Sequence, residues 1–531
     1  MPSYLSPGVY MEEVDRGTKP IEAVGTAVAA FIGYTEKAVD VRNGTSNSLK
    51  GKPTLVTNWT QYVQKFGGFV EGAYTPDSVY GYFANGGSVA YIVSLKTLGI
   101  SDDTGASPAK AGVASIQDKK KNLIEFASKT TATTGKKVEV EIKTPTPPAG
   151  KPEKEGEAPK DLAPTSFTVV IKVDGAAIET FDGVTTGKGD SNITNVLQTK
   201  SKLLTAEVVG KAELMPVDGS YALEGGDSKI SPVTLADYQG SVAERKGLGG
   251  LEPLDDVTML IVPDLMSSYQ AGEIDMKGVQ SVQQSIIDYC ELMRYCFAIL
   301  DAPPGLMPQE LKEWRNTVNY DTTRAAVYYP WIEIADMTSN KGGTRLVPPS
   351  GHVAGVYART DGTRGVHKAP ANEIMRATLG LEVNVTKGEH DLLNPAGINV
   401  IRSFPGRGIR IWGARTLSSD ASWRYINVRR LFNMMEASIE RGTQWVVFEP
   451  NDQFLWSRVS RDVRAFLTMV WRTGALFGTS PDQAFYVKCD AETNPPEARD
   501  LGQLVVEIGV APVKPAEFVI FRIGQWSGPG A

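Results

Sequence analysis

The sequence predicts a multidomain protein of mixed α/β and α+β class, and three observations carry that prediction. The chain has 531 residues, too many for one ordinary domain of roughly 100–200 residues. Residues 257–335 place wholly apolar runs on either side of a helical apolar period, the pattern of a parallel sheet covered on both faces. Residues 99–250 instead combine hairpin punctuation with few aromatics, the pattern of a separate β-rich unit. Hydrophobic residues make up 41% and charged residues 22%, so the chain has the composition of a folding protein.

In chain order, residues 1–22 read as an extended arm. A short strand-like Val9-Tyr-Met11 lies among Pro2, Pro7, Gly8, Gly17 and Pro20, too little apolar material to close a core. Residues 23–98 form the first part of a core and open on the apolar run Val24 to Ile32. Residues 99–250 carry 18 Lys but one Arg, whereas 351–531 carry 17 Arg and 4 Lys. Lysine suits solvated surface, and the planar arginine fork suits interfacial ion pairs. The first stretch therefore reads as an outward-facing insertion and the C-terminal third as contact-making. Within the insertion, Phe167-Thr-Val-Val-Ile-Lys-Val173 and Ala176-Ala-Ile-Glu-Thr-Phe181 flank Asp174-Gly175, a hairpin signal. The six prolines of residues 145–164 mark an extended loop.

Residues 251–345 form an α/β unit. Val257 to Val262 is an apolar strand, and Val279, Val282, Ile286, Cys290 and Met293 recur at helical spacing. Cys296 to Leu300 and Ala325 to Ile332 are two further strands. Residues 346–512 contain a helix with apolar Val428, Leu431, Phe432, Met435 and Ile439, a strand at Trp445 to Phe448, and a second helix over 454–472. Residues 513–531 are a C-terminal arm. Its alternating Glu517 to Trp526 segment follows Pro512 and Pro515, and an unpaired terminal strand of that kind needs a sheet edge to receive it.

Candidates for chemistry are scarce. Three Cys and three His exclude a disulfide framework and a four-Cys zinc site; Cys290 and Cys296 read as core thiols, with Cys489 the third. HExxH, CxxC, GxSxG and GxGxxG are all missing, and Gly183-Val-Thr-Thr-Gly-Lys188 is one residue short of a phosphate loop. Asp264 and Asp301 follow strand ends, where α/β enzymes place catalytic groups, but no His, Lys or metal ligand accompanies them in sequence. No cofactor is called for. A net charge of −6 and a pI near 5.5 argue against a dedicated nucleic-acid binder. The N-terminus has no secretory pattern and no run of 18 apolar residues occurs, so synthesis in the cytosol and no membrane partner are expected. On the 454–472 helix, Leu455, Val459, Val463, Phe466, Leu467 and Val470 cover one face. Arg458, Arg461 and Arg472 fall within about 60° of each other on the opposite face, with Arg464 beside them. That stripe is either a solvated helix face or a contact for an acidic partner.

Several segments together resemble the contractile tail sheath proteins of phages and phage-like injection systems. They are Leu5-Ser-Pro-Gly-Val-Tyr-Met-Glu-Glu13, Val24 to Gly33, Pro53 to Trp59 with Tyr62 and Phe66-Gly-Gly68, and Ser78 to Gly87. Downstream come Val347 to Arg359, Gly365 to Asn372, Ile398 to Arg402, Gly408 to Arg415 and Phe448-Glu-Pro-Asn-Asp452. The resemblance covers residues 1–97 and 257–531, roughly 70% of the chain. It implies a structural protomer and not an enzyme: a self-assembling hexameric, helical sheath around an inner tube protein, bounded by baseplate and terminal cap proteins, that contracts to drive the tube into a target. The terminal arms would add strands to neighbouring copies, through Leu5, Val9 and Tyr10 at one end and Phe518, Ile520, Phe521 and Ile523 at the other. The C-terminal core domain would face the tube through Arg458, Arg461 and Arg472. His352 and His367 fall in the matching segments and take structural roles. An α/β hydrolase-like enzyme using Asp264 or Asp301, and a static surface-layer or capsid-type lattice protein, are the competing expectations.

Overall fold

The computed structural model describes residues 20–42, 45–98, 110–115, 122–128, 138–144, 166–173, 175–201, 203–209, 215–223, 233–338 and 342–522. Leu5, Val9, Tyr10 and Ile523 lie outside them, as does the whole 145–164 loop.

A nine-stranded sheet organises the chain. Its strands run in the order Glu373–Ile374, Gly408–Ile411, Ile398–Phe404, Ala325–Tyr329, Phe297–Asp301, Met259–Ile261, Val28–Thr35, Val89–Thr97 and Thr54–Val56. The six inner strands are parallel, and the outer ones attach antiparallel. Strands from both sides of the 99–250 insertion, and from both sides of residue 345, thus share one hydrogen-bonded sheet. These apolar runs form strands because both faces are covered, and alternate residues enter two different cores. Ala30, Ile32, Leu260, Ala298, Leu300 and Val327 join one core with the Met276–Met293 and Pro308–Val318 helices. Ala29, Phe31, Ile261, Phe297, Ile299 and Tyr328 join the other with the Thr75–Asn85 and Ser350–Arg364 helices. Those last two helices approach very closely: a Cβ on Gly351 would stand 2.4 Å from the Ser78 carbonyl oxygen, and one on Gly355 would stand 2.5 Å from that of Tyr82. Only glycine fits there.

The insertion forms a four-stranded and a three-stranded sheet with the Ile193–Lys200 helix around a core of its own, including Phe126, Val140, Phe167, Ile171 and Leu197. Phe167–Val173 and Ala176–Val184 pair antiparallel, Val173 opposite Ala176, with Gly175 at φ 84°. This is the hairpin the sequence marks.

Two expected strands differ. The run Ala325 to Ile332 is two strands in two sheets, Ala325–Tyr329 and Ile332–Ala335, separated by a cis Tyr329–Pro330 bond. Proline has no N–H for the ladder, so the first strand stops there. Trp445 to Phe448 is not a strand. Gln444–Val446 is a short 3-10 turn, and Phe448 has φ 69° and lies fully exposed. Apolar content alone cannot distinguish a buried strand from an exposed apolar turn.

The C-terminal helices are Ile426–Gly442 and Gln453–Arg472, packed with the antiparallel pair Phe485–Lys488 and Glu507–Val510 around a third core. A buried ion pair ties this unit to the Ser350–Arg364 helix that covers the sheet: Arg430 donates to both oxygens of Asp361, at 3.0 and 2.6 Å, and both side chains are almost wholly buried.

Candidate assembly surfaces

The two carboxylates singled out as catalytic candidates are built into the fold. Asp264 is wholly buried and accepts from the backbone N–H groups of Tyr34, Tyr74 and Thr75 and from the Thr75 hydroxyl. It therefore satisfies the open N-terminus of the Thr75–Asn85 helix from across the sheet. Asp301 does the same for the Ser350–Arg364 helix, accepting from the Ser350 N–H at 2.9 Å and the Ser350 hydroxyl at 2.5 Å. Burial pushes the Asp264 carboxyl up to about 6 and that of Asp301 up to about 7, against the lowering pull of these donors. Each is enclosed by its own donors, so neither presents an oxygen to a substrate. His352 is buried against Gly81, and desolvation holds its imidazole down to about 4; His367 and His390 are half-buried. Cys290 and Cys296 are buried free thiols, and Cys489 is a half-buried one. Among the described residues no group of three or more His, Cys, Asp or Glu could hold a metal ion.

The Gln453–Arg472 helix forms because Asp452 caps it, its side chain accepting from the Leu455 N–H at 2.9 Å, and because its apolar stripe is buried. Leu455, Val459, Val463, Phe466, Leu467 and Val470 are all inside. Arg458, Arg461, Arg464 and Arg472 are exposed on the other side. The stripe is not purely ionic. Phe454 and Met469 are exposed on the same helix, Arg458 stacks 4.3 Å from the Trp445 ring centre, and Phe448 projects from the preceding turn. Arg461 pairs with its neighbour Asp462 at 3.1 Å. Exposed arginine beside exposed aromatics is the composition of a contact surface more than of a solvated face.

The tail makes the second surface. Beyond Val510 the described tail forms neither helix nor strand, and Phe518, Val519, Ile520 and Phe521 are between 69% and 83% exposed. None lies in a strand of this chain. Just before them, Glu517 is fixed. Its carboxylate accepts from Arg415 Nε at 2.9 Å, a second Arg415 nitrogen at 2.8 Å, Asn394 at 2.8 Å and the Tyr425 hydroxyl at 3.0 Å. Half-burial opposes its ionisation, but Arg415 and Asn394 outweigh that and hold the carboxyl below its ordinary value. Sequence reading treats Glu517 only as the first residue of an alternating run. A lone acid leading an apolar strand is the available signal, but its partners lie 92 to 123 residues away. The Phe485–Lys488 and Glu507–Val510 pair is two-stranded, so each strand has an outer edge that bonds to no other described strand.

Two family models match adjoining stretches of this chain. The phage tail sheath protein central domain matches residues 255–417, and the phage tail sheath C-terminal domain matches residues 418–525. Together they account for just over half of the chain. The protein belongs to the phage tail sheath family.

The boundary between the two models falls just before the Ile426–Gly442 helix, so the whole nine-stranded sheet lies on the N-terminal side of residue 418. Among curated relatives, the tail sheath protein of Vibrio phage KVP40 is 26% identical over 387 residues, covering 66% of this chain and 54% of that one. The tail sheath protein of Burkholderia phage BcepMu is 26% identical over 315 residues, covering 55% and 61%. This sheath-family chain thus matches between half and two-thirds of the length of these relatives. Among solved structures, the sheath complex of an extracellular contractile injection system, PVC, in its contracted state is 25% identical, with a TM-score of 0.57 and 99% of both chains covered. The anti-feeding prophage baseplate structure shares the fold at 23% identity and a TM-score of 0.56. The sheath family is structural and not an enzyme family. The hydrolase-like and static-lattice expectations find no support.

Proposed function

We propose that this chain is the protomer of a contractile sheath, polymerising as stacked six-membered rings around an inner tube and shortening to drive that tube into a target. The observation that carries the reading is the match over 99% of both chains with a sheath solved in its contracted state. Its partners are other copies of itself, the tube, and the baseplate and terminal cap at the two ends. It is made and assembled in the cytoplasm and ends as part of a phage tail or an injection particle. Drive comes from packing: the contracted lattice buries more surface between copies than the extended one, and apolar burial is worth about 25 cal/mol per Å².

The arms supply connectivity. Phe518 to Phe521 are a donor strand that pairs with no strand among the described residues of their own chain, and Leu5, Val9 and Tyr10 are its counterpart at the other end. The open edges of the Phe485–Lys488 and Glu507–Val510 pair are acceptors of the right kind. Main-chain bonds are worth only about 0.5–1.5 kcal/mol each net, but a lattice sums many. Arg458, Arg461 and Arg472 face the tube, where exposed ion pairs are weak enough to release on contraction.

Negative-stain electron microscopy of the chain expressed alone and with its tube protein tests the proposal. Hollow, ridged cylinders are expected with the tube, and monodisperse monomers in both samples would refute it. Deleting residues 1–14 should leave folded protomers that form no contraction-competent sheath; normal sheaths would remove the arms from the mechanism.

A further inference from the structure

The tail changes its attachment before it leaves the body. At residues 510–513 it belongs to the C-terminal unit. Val510 pairs with Phe485, the Ala511 N–H donates to the Ala484 carbonyl at 2.8 Å, and the Val513 N–H donates to that of Ala475 at 3.1 Å. Four residues on, Glu517 is gripped by Arg415 and Asn394, which flank strands of the sheet: Arg415 follows Gly408–Ile411, and Asn394 lies in the 3-10 turn that leads into Ile398–Phe404. The N–H and carbonyl of Arg415 both bond the Asn399 side chain, at 2.7 and 2.8 Å. Asn399 is a wholly buried residue of the Ile398–Phe404 strand and donates in turn to the Val327 carbonyl of the next strand at 3.3 Å. Arg415 also donates to the Asn394 carbonyl at 3.1 Å. A continuous path of bonds therefore leads from the Glu517 carboxylate through Arg415 and Asn399 into the inner strands.

We infer that Glu517 is the load anchor of the C-terminal arm: tension drawn through residues 518 onward by a neighbouring copy enters the nine-stranded sheet through Arg415 and Asn399 and is kept off the Phe485–Lys488 and Glu507–Val510 pair. The inference rests on the reading that the arm joins copies, and it adds where the pull is taken up. Without the clamp, a pull on the tail would peel Glu507–Val510 away one ladder bond at a time, and a two-stranded sheet is a weak element for that load. With it, four bonds to one carboxylate, two of them a charge-assisted fork, are loaded together. The fork also sets the direction in which the exposed strand leaves the body, because Glu517 is fixed and Phe518 is not.

The test uses the full chain co-expressed with its tube protein. Glu517→Gln keeps the shape and loses the charge. Its monomers should unfold like the parent, while its sheaths break into short pieces on contraction. Hydrogen exchange at residues 485–488 should rise by at least about tenfold in contracted sheaths but not in monomers. The reciprocal pair Glu517→Arg with Arg415→Glu should restore unbroken sheaths. Unbroken contracted sheaths from Glu517→Gln, with parental exchange, would overturn the anchor. So would loss of its unfolding transition, which would make Glu517 a folding residue. Deleting residues 518–531 separates the two ideas. It should abolish sheaths, and normal sheaths from that deletion would refute the arm reading and leave the clamp with no load to carry.

Discussion

The nine-stranded sheet and the C-terminal unit treat apolar surface in opposite ways. Every residue of the Phe297–Asp301 and Ala325–Tyr329 strands is buried, and alternate side chains feed two cores within the same chain. The C-terminal unit also closes a core, yet it leaves Phe448, Phe454, Phe477 and Phe518 to Phe521 in solvent. A folded surface carries scattered apolar residues as a matter of course, but aromatics gathered along one helix and one tail mark places where a partner completes the burial. The sheet is self-sufficient, and the C-terminal unit is finished only in an assembly. Substitutions in the first should therefore cost protomer stability, and substitutions in the second should cost assembly.

On that shared scale of protomer stability, the largest loss is expected where the two regions join. Arg430→Met leaves the buried Asp361 without its cationic partner, with only the Thr26 hydroxyl, among the described residues, donating to it, and should destabilise the protomer by about 3–5 kcal/mol, read as a lowered urea midpoint. A change within error would show that the two units do not depend on this joint. Asp264→Ala comes next. It strands three backbone donors, two of them buried, each worth about 1–3 kcal/mol when unsatisfied, and should cost at least about 3 kcal/mol in the same measurement. Asp264→Asn, which keeps one acceptor, should recover part of the loss.

A smaller effect depends on pH. The Asp301 carboxyl titrates near 7 in the fold against an ordinary 3.8, so the native state holds a proton that the unfolded chain has released. Its stabilising contribution is complete below about 4 and is lost as pH rises through 7. His352, held down to about 4 from 6.5, acts oppositely between those values, so the comparison between two chains isolates Asp301. Asp301→Asn should lose stability less steeply than the parent from pH 4 to 8, by roughly 1–3 kcal/mol over that range. Parallel curves would mean that Asp301 is ionised throughout.

The smallest change in stability should come from reversing Arg458 and Arg461 to Glu. Surface charges of this kind are worth within about 0.5 kcal/mol to the fold, yet the double reversal should weaken tube-templated assembly while sparing any tube-free contracted form. Equal loss of both forms would return the stripe to the fold and blur the division between the two regions.

The division between what was readable in sequence and what was not follows the range of the interactions. Period and composition placed the Met276–Met293 and Gln453–Arg472 helices, the 173–176 hairpin and the arginine stripe, because each is decided by neighbours within a turn or a strand. The resemblance led to the family because its motifs run in order along both ends of the chain. Tertiary structure alone decided three other matters. It joined strands from residues 28–97 and 259–411 into one sheet, since pairing depends on segments more than a hundred residues apart. It turned Asp264 and Asp301 from catalytic candidates into caps for helices that begin elsewhere in the sequence. It set Glu517 against Arg415, Asn394 and Tyr425, which no local pattern connects. Local physics writes the elements into the sequence, whereas the partners of a buried charge exist only after the chain has folded back on itself.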